Sequence, residues 1–108
     1  MESQIALCTY RVKEHHDQEF LRLLSNHYPT LRRLGLVMDE PSLLFRGTDE
    51  SGKSFFVEVL HWKSRDGHKV AEQMPEVLAI WEKMGQLVES RMGRPAMEFP
   101  FVETISGT

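Results

Sequence analysis

"SFFVEVLHWKSRDGH", residues 54–68, decides how the chain is read. Its Phe, Val and Leu content is that of a buried strand, which ends at Trp62 and runs into the polar turn "KSRDG". Strand alternation sends Phe55, Val57, Val59 and His61 to one side and Phe56, Glu58, Leu60 and Trp62 to the other. Neither side has the composition of a solvated surface. Glu58 is the anomaly, because an isolated buried carboxylate is too costly unless it is solvated, paired or protonated. Arg11 on the first strand and Arg46 on the second are its expected partners.

Working outward, "QIALCTYRV" (4–12) is a strand with both faces partly apolar. Phe20, Leu23, Leu24, His27, Leu31 and Leu34 recur at helical spacing, with Asp17 and Glu19 favouring the early turns and Gly35 the end. Pro29 is expected to kink this helix or divide it near Tyr28. "MDEP" is a turn, and "SLLFRG" and residues 53–62 form a hairpin across "TDESGK". A short helix near 66–73 and a longer one from Pro75 to about 91 follow, since proline suits a first helical position. "AMEFPFVETI" closes the chain as a strand whose Pro100 calls for an edge or a bulge.

The order is βαββαβ, a single ferredoxin-like α+β domain over 1–108: a four-stranded antiparallel sheet with its helices on one face. The opposite face needs a cover. Phe56, Leu60 and Trp62 are assigned to it, and a second copy of the same sheet covers it, giving a homodimeric α+β barrel with Glu58 at or inside the interior.

The bulk numbers exclude several classes. A net charge of −3 gives no basic face for nucleic acid. No apolar run approaches the ~20 residues of a membrane span. The N-terminus lacks a secretory pattern, and the one cysteine, Cys8, reads as a small hydrophobe in a strand, so a cytoplasmic location is expected. No metal-ligand spacing, phosphate loop or nucleophile motif is present. His15 and His16 read as exposed helix-start residues, His27 as a core histidine, and Trp81 as part of the core. Met74, Met84, Met92 and Met97 read as gap-fillers on apolar positions.

With "FFVEVLHW", "HKVAEQMPEVLAIWEKM" and "AMEFPFVE" in place, the chain resembles the dimeric α+β barrel superfamily and, more narrowly, the antibiotic-biosynthesis-monooxygenase-like domains. The resemblance implies a homodimer with a cavity in each protomer and oxygenation without metal or flavin of a small aromatic or polyketide-like molecule. It places a polar cavity residue at Glu58, where an amide is more typical, and matches the tryptophan at Trp62. Haem-degrading relatives carry an asparagine on the first strand and a histidine on the helix. Here the first strand has no asparagine and Glu72 stands at the histidine's place, with His68 one turn earlier, so haem degradation is not expected. The expected site is Trp62 stacking the substrate and Glu58 or His68 taking a phenolic proton. Arg11, Arg46 and Glu72 are expected to bind the substrate. The alternative is a non-catalytic small-ligand-binding or structural homodimer of the same fold. The enzyme reading requires an open cavity of order 300 Å³ with Glu58 or His68 exposed to it, and fails if Phe56, Leu60 and the methionines fill that space.

Overall fold

The computed structural model describes residues 4–40 and 42–105. The elements run β1 (Ile5–Arg11), α1 (Asp17–Arg33), β2 (Leu43–Thr48), β3 (Ser54–His61), α2 (Gly67–Ala71), α3 (Pro75–Gln86), β4 (Met97–Glu98) and β5 (Phe101–Val102). The sheet is antiparallel with β1 and β3 at its centre, β2 on the far side of β3, and β4 and β5 sharing the other flank of β1. The α+β, ferredoxin-like class is therefore that of the structure. The closing strand is broken into two two-residue pieces around Pro100, whose carbonyl accepts from Leu7 N–H at 2.9 Å. An edge is where a residue without an N–H does least harm.

Helix α1 exists because Phe20, Leu24, His27 and Leu31 fall on one buried stripe. It ends as the sequence predicts. Gly35, at φ +77°, donates its N–H to Arg32 O and lets Leu36 N–H reach back to Leu31 O, both at 3.0 Å. Pro29 does not divide the helix, which runs unbroken through it. Helix α3 opens on Pro75 and stops at Gln86, a turn short of the expected end; Leu87, still in right-handed helical backbone, and Val88, bridged to Val12, then pack into the core. Met92 departs from expectation. It is half exposed, at φ +53°, in the tight turn after α3 and fills no gap.

The register of β1 and β3 pairs Cys8 with Glu58, Ala6 with Leu60 and Tyr10 with Phe56. All six side chains are buried beneath the helices, Phe20 of α1 stacking on Phe56 at 5.6 Å. This corrects the expected assignment of faces. Phe56, Glu58, Leu60 and Trp62 lie on the helix-covered side. The uncovered side is built from Leu7, Phe55, Val57 and Val59, continued onto β2 by Leu43 and Phe45, which are 60% and 56% exposed. The apolar open face is real, but it is the other one, because both faces of β3 are apolar and alternation alone cannot say which meets the helices.

Arg91, after α3, ties the frame together. It donates to Val12 O at 3.3 Å and Ser54 O at 2.7 Å, with Nε 3.3 Å from Asp49 in the β2–β3 turn. On β1, burial pushes the Cys8 thiol up to about 12, with the Glu58 charge adding to it, and carries Tyr10 well above its ordinary value for the same two reasons. Native Cys8 is therefore expected to resist iodoacetamide at pH 8 and to react once urea exposes it; rapid native labelling, read by mass, contradicts this burial. Both groups hold their protons to higher pH folded than unfolded. Stability is thus expected to fall from about pH 9, where an unfolded thiol ionises, towards pH 12.

Candidate functional site

Between the sheet and the helices lies a cavity of about 340 Å³. Its wall is largely apolar, with Ala6, Leu60, Met84 and Phe101 among its residues, and the polar groups are few: Tyr10, His27, His68, Glu72 and the indoles of Trp62 and Trp81. A cavity with a small number of converging polar groups is the usual form of a small-molecule site.

Trp62 is placed by backbone on both sides. Its N–H donates to Gln4 O at 3.0 Å, and it bridges to Val37. Its ring lies against Gly67, at the start of α2, where a Cβ would come within 2.6 Å of the indole. Gly67 is therefore what allows α2 to close over the tryptophan. His68 and Glu72 follow on that segment and face the same cavity. The structure thus brings Trp62, His68 and Glu72 together.

Glu58 is elsewhere in the same wall, one layer back. It has no exposed surface and does not line the cavity. Its expected ionic partners are not its partners. Arg11 donates to Pro95 O and to Glu98, each at 2.6 Å, and Arg46 lies 3.5 Å from Asp17. Arg11 projects to the open side of the sheet, and Arg46 sits on the edge strand, so neither reaches Glu58 or the cavity lining.

Glu58 is bonded instead by uncharged donors. Tyr10 O–H donates to Oε1 at 2.7 Å, and His27 Nδ1 lies 2.9 Å from Oε1 and 3.1 Å from Oε2. Trp81 Nε1–H donates to His27 Nε2 at 2.9 Å. An indole nitrogen only donates, so Nε2 carries no proton, and the proton of neutral His27 sits on Nδ1, directed at the carboxylate. The chain Trp81–His27–Glu58–Tyr10 thus has one consistent direction, every hydrogen pointing towards Glu58. Among the described residues no lysine or arginine bonds this carboxylate.

His27 is the core histidine its place in the apolar stripe predicts, and it also lines the cavity. The available signal was a pair of anomalies: a histidine in the apolar stripe of α1 and a glutamate in the apolar face of β3. Two buried polar residues on facing elements satisfy each other more often than not. Tyr10 and Trp81 gave no such signal, since each fits an apolar stripe.

No known family profile matches the chain, and no curated protein does. Solved structures do. One described as an antibiotic biosynthesis monooxygenase aligns with TM-score 0.69 at 12% identity, over 94% of this chain and 98% of that one. SnoaB, a cofactor-independent oxygenase from Streptomyces nogalater, aligns with TM-score 0.65 at 14% identity, over 95% and 93%. An uncharacterized NIPSNAP domain protein from Burkholderia xenovorans aligns with TM-score 0.57 at 15% identity, over 94% of each chain. Along nearly its whole length, the chain has the fold of the antibiotic biosynthesis monooxygenase domains.

Proposed function

We propose that the cavity binds a small aromatic or polyketide-like molecule and that the protein is a cofactor-independent monooxygenase of that fold. The observation that carries the reading is the cavity of about 340 Å³ walled by two indoles and two imidazoles, Trp62, Trp81, His27 and His68. The indoles give flat apolar surface for an aromatic ring, worth about 0.5–1.5 kcal/mol per stacked pair beyond simple burial. The imidazoles give ring nitrogens that can accept a proton from a bound ligand. In such a reaction the substrate supplies the electrons. Loss of a phenolic proton raises electron density on the ring, a CH2 becomes C=O, one atom of O2 enters the product, and the other leaves as water with both hydrogens. Arg11 and Arg46 have no part in this proposal, because both lie off the cavity lining.

The protein is proposed to act as a homodimer whose second copy covers the open face. Leu43 and Phe45 are more than half exposed there, beside Val57 and Val59. Burying a large apolar side chain is worth roughly 1.5–3 kcal/mol, so pairing two such faces removes several costs at once. No helix among the described residues is long and apolar enough to cross a membrane.

Calorimetry with a panel of fused-ring phenols is expected to find ligands for the wild type. Trp62→Ala is expected to weaken them about three- to tenfold, the range of one lost aromatic contact. Gly67→Ala, which pushes on the Trp62 ring, is expected to weaken them as well. Equal affinity in all three proteins removes Trp62 from the site. Oxygen uptake with a bound phenol supports the enzyme; tight binding without uptake favours the alternative, a ligand-binding dimer. Sedimentation equilibrium is expected to show a dimer that Val57→Lys splits into monomers, and a wild-type monomer at high concentration contradicts the pairing.

A further inference from the structure

We propose that His27, held from behind by Glu58, is the group that takes the proton of an acidic O–H ligand in this cavity, with Glu58 as a positioning residue that never touches the ligand. The inference rests on the cavity reading above and names the residue that does its proton chemistry.

Three observations converge on His27. It lines the cavity although its side chain is almost wholly buried, so the surface it shows is turned inward. Its Nδ1 is committed to Glu58, at 2.9 and 3.1 Å from the two carboxylate oxygens. Its Nε2 is therefore the basic nitrogen, and the hydrogen it accepts comes from Trp81, itself a cavity residue. The histidine–carboxylate pair is the arrangement that fixes a tautomer and stabilises an imidazolium. Here it is fixed further by Tyr10 O–H on Glu58 Oε1 at 2.7 Å.

The surrounding groups favour this assignment. Tyr10 and Cys8, on β1, both hold their protons far above neutrality, so neither competes as a base. Trp81, on α3, only donates. His68 and Glu72 also line the cavity, both more open to solvent than His27. Glu58 is thus a buried negative charge bonded by neutral donors, with no cation against it among the described residues. A positive charge arising on His27 would be its counter-ion.

The step balances without any other reactant. The ligand O–H replaces the Trp81 N–H at His27 Nε2. Its O–H bond breaks, an N–H bond forms at Nε2, and the electron pair stays on the ligand oxygen. The imidazolium is held between that oxyanion and Glu58, and the freed Trp81 N–H can donate to the oxyanion. A ligand with no acidic hydrogen gains none of this. The site therefore distinguishes a phenol or enol from its methyl ether.

The test uses 4-nitrophenol, whose anion absorbs in the visible, and 4-nitroanisole, its methyl ether, with binding read by tryptophan fluorescence. One pH unit below the midpoint of free nitrophenol, where about a tenth of the free probe is ionised, the wild type is expected to hold at least half of the bound probe as the anion. Its bound midpoint is expected to lie at least about one unit lower, a tenfold change in ionisation ratio. In His27→Gln and Glu58→Gln that displacement is expected to vanish while nitroanisole still binds, which shows the cavity intact. In His68→Gln it is expected to persist. A nitrophenol bound in neutral form by the wild type overturns the proposal and leaves the cavity standing; so does an anion band lost in His68→Gln and kept in His27→Gln. If neither probe binds, both the assignment and the cavity reading fall together. The wild-type measurement decides by itself should a variant fail to fold.

Discussion

A carboxylate with no exposed surface must have all its hydrogen-bonding needs met by the protein, and the structure around Glu58 is arranged to do that. Leaving such a charge unpaired in an apolar interior costs several kcal/mol. Tyr10 on β1, His27 on α1 and, through His27, Trp81 on α3 all converge on it. One residue on the central strand thereby fixes how both long helices sit on the sheet. The same bonds set the proton positions in the wall of the cavity. Stability and chemistry meet in this one chain of hydrogen bonds.

Much of the fold was legible in the sequence because its signals are local. The stripe Phe20, Leu24, Leu31 and the terminating Gly35 mark α1, and Pro75 marks the start of α3. Pro100 announced the weakness of the last strand. Pro29 misled, because the cost of a proline within a helix is of the order of the burial around it, and here the packed stripe on both sides of it prevails.

What was not legible is what depends on contacts between distant segments. Phe55 and Phe56, or Val57 and Leu60, are equally good core residues, so the choice of which face of β3 meets the helices is invisible to alternation. Arg11 and Arg46 are the cations the pattern offers Glu58, but Arg11 lies on the opposite face of the sheet and Arg46 is turned to Asp17. The true partners of Glu58 are a tyrosine and a histidine, which looked like ordinary members of apolar stripes. Trp62, His68 and Glu72 are close together in the chain and line one cavity; His27 joins them from a distant segment, thirty-one positions from Glu58, which no local pattern announces.

The likeness to the monooxygenase domains extends to architecture, and identities of 12–15% carry nothing about individual residues. His27 backed by Glu58 is a property of this chain's own interior. The site depends on the direction of the hydrogen bonds through that histidine, which nitrogen-15 NMR of His27 in the ligand-free protein at neutral pH reads out. The expected spectrum has a proton on Nδ1 and a bare Nε2 coupled to the Trp81 indole N–H. A proton on Nε2 in the ligand-free protein would overturn this arrangement.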